Sequence, residues 1–230
     1  TVGDYTYIDL EDGSYSYGSE AYWSSSEHAL YVYGSRLLVI DTLRLNGLSS
    51  SEDLSITGIE SNNSIELIFE RSRGDPPFPC RGGICLDGSL NVSLGPNDDH
   101  FYVGRQARFL GQEISFNINE SLHEGDSIDL GPGDDVLYVV LADEVPPKLD
   151  GGDGSDWLYV YATNLTELTF EAAGAVNFEN LVGSRNSEII QGDHHSNIIS
   201  GGGGSDTLYG YDGNDTLFSE RTICVPVNVN

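Results

Sequence analysis

The chain has 230 residues, with 37 Asp and Glu against 10 Lys and Arg, and its formal net charge is −27. This charge argues against nucleic acids and anionic membranes as partners, because both are themselves negative. It also makes the folded state repel itself unless cations are bound.

No stretch approaches the length of apolar sequence that a membrane span needs. The sequence begins at Thr1, contains no Met and shows no leader. We therefore expect a mature, processed or excised piece.

Residues 1–70 alternate apolar and polar residues between turn signals, which predicts short strands at residues 4–10, 29–33, 37–40 and 64–69. The Ser- and Tyr-rich stretch 14–26 contains Tyr15, Tyr17, Tyr22 and Trp23. Cross-strand packing is the favoured interpretation of these rings, with a sugar-stacking platform as the alternative.

Residues 71–88 predict an irregular loop, because three prolines disfavour a central strand. An Arg-Gly-Asp tripeptide at 73–75 is short enough to arise by chance. Cys80 and Cys85 are close enough for a loop disulfide, which would leave Cys224 to pair between chains. Free thiols at all three positions are the alternative.

Three segments, at 94–103, 130–139 and 151–160, run from a Gly/Asp-rich turn into an apolar strand. From Gly174 the pattern becomes strictly periodic, and nonamers also begin at Gly183, Gly192, Gly201 and Gly210. Their inward apolar positions are Leu181, Ile190, Ile199, Leu208 and Leu217. Two residues before each of these stands a polar residue, namely Glu179, Glu188, Asn197, Asp206 and Asp215.

The last two nonamers, 201–209 and 210–218, fit the pattern G-G-x-G-x-D-x-U-x, with Tyr211 in place of one glycine. Over 174–218, and less closely over 130–160, the sequence resembles the repeats-in-toxin (RTX, haemolysin-type) calcium-binding family. The resemblance implies a β-roll in which each coil takes two nonapeptides. The spacing of 36 between Gly95 and Gly131 is then two coils, or one coil with an insertion. The spacing of 21 between Gly131 and Gly152 is one coil with three extra residues, which places Asp135 and Asp156 on one edge.

The resemblance also implies Ca²⁺ between turns that lie one coil apart. One expected site uses Asp206 with Glu188, and another uses Asp215 with the amide oxygen of Asn197. Asp193 and Asp212 are expected to add oxygens to these sites. A third expected site joins Asp135 and Asp156, with Asp134 and Asp153 nearby. The alternative for each Asp is a turn residue that caps its own backbone, and for Asp99 the two interpretations are evenly matched.

Catalytic chemistry is not expected, because the sequence contains no H-E-x-x-H, G-x-S-x-G or P-loop pattern. His194-His195 is interpreted as a solvated turn pair. Five Asn-x-Ser/Thr sequons, at Asn62, Asn91, Asn119, Asn164 and Asn214, leave glycosylation open.

We therefore predict an all-β fold, a right-handed parallel β-solenoid with calcium-binding turns. Residues 1–93 form its N-terminal part, 94–173 irregular coils, 174–218 a regular β-roll and 219–230 a tail. The expected function is an extracellular structural or assembly protein, such as a surface-layer, adhesin or filament subunit that associates end to end. A non-catalytic module of a secreted hydrolase and a polysaccharide-binding or polysaccharide-active β-helix are the alternatives.

Overall fold

The structure is a computed structural model, and it describes residues 15–16, 19–33, 37–41, 45, 48–49, 51–59, 62–69, 86–103, 121–141 and 147–219. Within these ranges the fold is all-β, and the helical content is one turn, α1 (Phe170–Ala173). The all-β part of the fold prediction is confirmed. The predicted strands at 29–33, 37–40 and 64–69 are also confirmed.

Between residues 29 and 163 successive strands alternate between two sheets, and we call each return of the chain to the same sheet a coil, although the described residues do not form a closed solenoid. The first sheet, in spatial order, contains β1 (Tyr15–Ser16), β2 (Ser19–Ser24), β3 (Ala29–Val32), β5 (Leu54–Gly58), β7 (Leu90–Ser93), β9 (Ser127–Asp129), β11 (Lys148–Asp150) and β14 (Ala175–Val176). The second sheet, again in spatial order, contains β4 (Leu37–Asp41), β6 (Ser64–Ile68), β8 (His100–Val103), β10 (Val136–Leu141), β12 (Trp157–Thr163), β15 (Asn180–Val182), β17 (Ile198–Ser200) and β19 (Thr216–Phe218). A third sheet contains β13 (Glu167–Thr169), β16 (Ile189–Gln191) and β18 (Thr207–Tyr209).

From β3 onward all strand pairs are parallel, which confirms the predicted parallel arrangement. In the second sheet Leu137 is aligned with Leu158, Leu181, Ile199 and Leu217 in the successive strands. Neighbouring strands of this sheet come from successive repeats of the sequence. The length of the repeat therefore determines which residues are paired.

The 36-residue spacing proves to be one coil with an insertion. Val136 of β10 pairs directly with His100 of β8, so no strand of the second sheet lies between them. The 21-residue spacing is also one coil, because Val136 pairs with Trp157. Residues 104–120, which make up most of the insertion, lie outside the described ranges.

Between β12 and β15 the chain changes sheets. It forms β13 in the third sheet, turns through α1, and then adds β14 to the first sheet beside β11. This detour makes the repeat 23 residues long, since Trp157 pairs with Asn180. After it, the 18-residue period holds from Asn180 to Ile198 and on to Thr216.

The core is a stack of aliphatic side chains between the sheets. Ile56, Val92, Ile128 and Leu149 form its row on the first sheet, and all are buried. Near the N-terminus Trp23 is fully buried, and Tyr22 faces Tyr31 across the antiparallel pair of β2 and β3, with ring centroids 6.1 Å apart. For Tyr22 and Trp23 the packing interpretation is therefore confirmed.

Several predicted features lie outside the described residues. They are the strand at 4–10, Tyr17, the Arg-Gly-Asp tripeptide, Cys80, Cys85, Cys224, the sequon at Asn119 and most of the tail.

Candidate metal centre

The candidate site is a row of polar residues along one edge of the second sheet. Each member directly precedes a strand and stands two residues before a buried or inward-facing apolar residue, so every coil returns it to the same edge. We call this row the main ladder: Asn63, Asp99, Asp135, Asp156, Glu179, Asn197 and Asp215.

Side chains of the main ladder bond to the backbone of the preceding coil. The N–H of Asp99 donates to Oδ1 of Asp135 at 2.6 Å, and the N–H of Asp135 donates to Oδ1 of Asp156 at 2.8 Å. The N–H of Asp156 donates to a carboxylate oxygen of Glu179 at 2.8 Å. A carboxylate that accepts a backbone N–H is held in a fixed direction, so these bonds orient the ladder.

The second carboxylate oxygen is the informative one. Oδ2 of Asp99, Asp135, Asp156 and Asp206 is buried and has no hydrogen-bond partner. Buried polar atoms are almost always satisfied, so such orphans call for an explanation. A cation bound at these oxygens would supply it, because carboxylate oxygens are ligands of Ca²⁺.

Burial has the expected electrostatic cost. It raises the pKa of Asp135 to about 8, that of Asp99 to about 7 and that of Asp156 to about 6. Backbone N–H donors oppose the increase, while neighbouring carboxylates, both in the ladder and on the turns, add to it. Without a cation at pH 7, folded Asp135 therefore stays mostly protonated, whereas Asp99 is about half ionised and Asp156 is mostly ionised.

A second set of acidic residues, which we call the opposite ladder, precedes strands of the first and third sheets. Its members are Asp126, Glu188 and Asp206. The N–H of Glu188 donates to Oδ1 of Asp206 at 3.0 Å, and both Glu188 oxygens accept from Ser184, one from its N–H and one from its hydroxyl. Burial raises the pKa of Glu188.

The turns between strands approach one another closely, and glycine makes this possible. A Cβ at Gly152 or Gly154 would collide with the carbonyl oxygens of Gly131 and Gly133 in the preceding coil. Gly152 also has φ +99°, a conformation that L-residues rarely adopt. Turn carbonyls therefore line the same edge as the carboxylates, which suits a cation that prefers six to eight oxygens.

The residue pairs predicted to share Ca²⁺ are neighbours in the ladders. Asp135 bonds Asp156, Glu188 bonds Asp206, and the N–H of Asn197 donates to Oδ1 of Asp215 at 2.9 Å. The fit to Ca²⁺ is poorer at Asn197, whose Oδ1 already accepts the N–H of Asp193. It is also poorer at Glu188, because both of its oxygens accept from Ser184.

Asp134, Asp153 and Asp212 are exposed on the turns, outside the buried row. Oδ1 of Asp134 accepts the N–H of Ser155 at 3.0 Å, which ties one turn to the next. The predicted role of these three residues as additional oxygen donors stays a prediction.

Sequence reasoning left Asp99 undecided and did not single out Asp126 or Asn63. Their turns lack the Gly-x-Gly pattern, which is why the motif did not reveal them. The signal that remained was a polar residue two positions before an inward apolar one, as in Asp126-Ser127-Ile128.

Stacked parallel strands with oxygen-lined turns define a calcium-binding repeat structure. A family model described as the RTX calcium-binding nonapeptide repeat matches four copies, over residues 148–164 and 183–221. The chain thus carries RTX repeats, as its sequence predicted, and repeats of this kind bind calcium and are typical of secreted proteins. No curated protein and no solved structure matches the chain. The described part contains no helix with the length and apolar character of a membrane span.

The main ladder extends beyond the matched repeats. Asp99 and Asp135 precede residue 148, yet both are fully buried and hydrogen-bonded in the same way as Asp156. The residues therefore fit Ca²⁺ over a longer part of the chain than the family match covers.

In calcium-free buffer the stability of the chain is expected to fall as pH rises from about 4 to about 8. An unfolded Asp ionises near pH ~3.9, whereas folded Asp135 keeps its proton to about pH 8. The folded state binds more protons across this window, so raising the pH favours unfolding.

Urea unfolding at both ends of this window measures the effect. A higher midpoint at the alkaline end in calcium-free buffer would contradict it. With saturating calcium the trend should flatten or reverse, because the cation favours ionised carboxylates.

Proposed function

We propose that this chain is a calcium-stabilised structural or assembly module that works outside the cell, as a surface-layer, adhesin or filament subunit. We further propose that it winds as a right-handed parallel β-solenoid of the β-roll type and has no catalytic role. The observation that carries the proposal is the main ladder, in which orphaned carboxylate oxygens recur on successive coils.

The ladder explains how calcium would confer stiffness. Ca²⁺ supplies positive charge between carboxylates that otherwise repel, and residues such as Asp135 and Asp156 would hold it. Their Oδ1 atoms already bond the neighbouring coil, so Oδ2 is left for the cation. Each bound ion would join two turns, and the net charge of −27 would be partly neutralised.

The last described coil supports an assembly role. Leu217 of β19 occupies the inward position that is fully buried at Leu181 and Ile199, but it is 43% exposed. Leu208 of β18 is only partly buried. Both strands are the last in their sheets, so their outer edges offer backbone groups as well as apolar surface to a stacked copy.

Replacing Leu217 with Glu is expected to weaken calcium-dependent self-association by roughly tenfold or more. Burying the exposed 43% of Leu217 contributes about 1 kcal/mol. Burying the Glu carboxylate in its place has a further cost, and about 1.4 kcal/mol corresponds to tenfold in affinity. Sedimentation velocity over a concentration series, with calcium present, measures the effect.

The matched control is Thr216→Glu, which places the same charge on the adjacent exposed residue of β19. Circular dichroism in calcium should show that both variants fold. Wild-type chain that stays monomeric at every concentration would overturn the assembly role and leave the calcium ladder as a separate conclusion.

A further inference from the structure

One turn of the main ladder edge carries nitrogen donors. In the turn 192–197, Asp193, His194 and His195 offer donor atoms that all lie within 4.8 Å of one another. No other group of this kind occurs among the described His, Cys, Asp and Glu residues. The two imidazole rings have centroids 3.8 Å apart.

Hydrogen bonds fix this turn. The N–H of Asp193 donates to Oδ1 of Asn197 at 2.9 Å, and the N–H of His195 donates to Oδ1 of Asp193 at 2.7 Å. The other Asp193 oxygen lies 3.0 Å from Nδ1 of His195. The carboxylate is thus placed beside one imidazole, an arrangement that orients metal-binding histidines in many proteins.

The turn has two chemically different sides. Asn197 is buried and belongs to the oxygen ladder, whereas His194 and His195 are exposed and Asp193 is partly exposed. Calcium takes oxygen ligands, while imidazole nitrogen suits zinc, copper and nickel. Exposure leaves positions for water or another donor to complete the coordination of such an ion.

We propose that Asp193, His194 and His195 bind a divalent transition metal, such as Zn²⁺ or Ni²⁺, at a site separate from the calcium ladder. The N–H of Asn197 bonds Asp215, so residues 18 apart are neighbours in adjacent coils. Asp212 therefore lies at the position equivalent to His194 in the next coil, where it adds negative charge. The site stands on its own residues and does not depend on the assembly role.

Isothermal titration with Ni²⁺ tests the proposal on the untagged full chain, in saturating calcium and with its three cysteines alkylated. Alkylation matters because Cys80, Cys85 and Cys224 would themselves bind transition metals. One equivalent of Ni²⁺ is expected to bind. His194→Asn and His195→Asn should each weaken binding about tenfold or more, because even residues that only orient a ligand contribute 10–100-fold.

The control is His28→Asn, which removes a histidine far from this turn in the sequence and tolerates the positive φ of 49° at that position. It should bind Ni²⁺ like the wild type. Unchanged Ni²⁺ binding in the double variant His194→Asn/His195→Asn would overturn the proposal, as would displacement of Ni²⁺ by calcium. Circular dichroism of that variant should keep its calcium response, which separates loss of the nickel site from failure of the ladder.

Discussion

Replacing Asp135 with Asn is expected to destabilise the chain in calcium and to stabilise it without calcium. Asn is nearly isosteric, so its side-chain oxygen can still accept the N–H of Asp99. It carries no charge, so the burial that raises the pKa of Asp135 to about 8 no longer has a cost. The same neutral group is a poorer ligand for Ca²⁺.

The two effects have opposite signs and measurable sizes. Losing a site that is occupied at a hundredfold excess over its Kd removes about 2.7 kcal/mol of stability. Without calcium at about pH 8, removing the buried charge should instead raise stability by a few kcal/mol, because one pKa unit corresponds to about 1.4 kcal/mol. Urea unfolding of wild type and variant, with and without calcium, gives all four values.

Two further variants distinguish a cation-binding role of Asp135 from a purely structural one. Asp135→Ala should be destabilised under both conditions, because it leaves the buried N–H of Asp99 without its acceptor, at about 1–3 kcal/mol. Asp98→Asn removes an exposed carboxylate but keeps an oxygen that can accept the N–H of Asp134, so it should change stability less than Asp135→Asn does in calcium. An Asp135→Asn variant that is less stable than wild type in both conditions would mean that this carboxylate is structural and binds no cation.

Replacing Gly202 with Ala is expected to destabilise the chain by about 3 kcal/mol or more. Gly202 has φ +87°, and its Cβ would collide with the carbonyl oxygens of Gly183 and Ser184 in the preceding coil. The backbone conformation alone costs an L-residue about 1–2 kcal/mol. The collision with main-chain atoms then forces two turns apart, which also disturbs the calcium position between them.

Gly203, the next residue, is the matched control. Its Cβ would come no closer than 3.4 Å to any atom, and its φ is not positive, so Gly203→Ala should change stability by less than about 0.5 kcal/mol. Chemical unfolding in calcium compares the two variants. Equal stability of the two would mean that the turns are not stacked as described. Tyr211 occupies the position of Gly202 in the next nonamer and keeps a positive φ of 65°, so that turn carries strain already.

The regular part of the fold could be predicted from the sequence because the 18-residue spacing determines both the strand register and the positions of the candidate metal ligands. An inward residue such as Ile199, with Asn197 two positions before it, recurs every 18 residues, and a parallel coil must then align both. Asp135 and Asp156 were placed on one edge by the same argument.

The rest depended on information that the pattern does not contain. The spacing of 36 residues allowed one coil or two, because an insertion and an extra coil have the same length. The exchange of sheets through β13, α1 and β14 follows from packing around a degenerate repeat. The sequence indicated a solvated turn pair at His194 and His195 and a calcium donor at Asp193, because the distances among the three residues arise only from the turn conformation.

Calcium removal tests the central claim most directly, namely that cations between the turns hold the coils together. Far-ultraviolet circular dichroism of the full chain should be recorded in calcium, after chelation and after calcium is restored at about pH 8, where Asp135 is charged in part. The ladder predicts that β signal is lost on chelation and returns with calcium, because a binding free energy at such sites is folding free energy. A β signal that is unchanged by chelation, together with an unchanged unfolding midpoint, would contradict it.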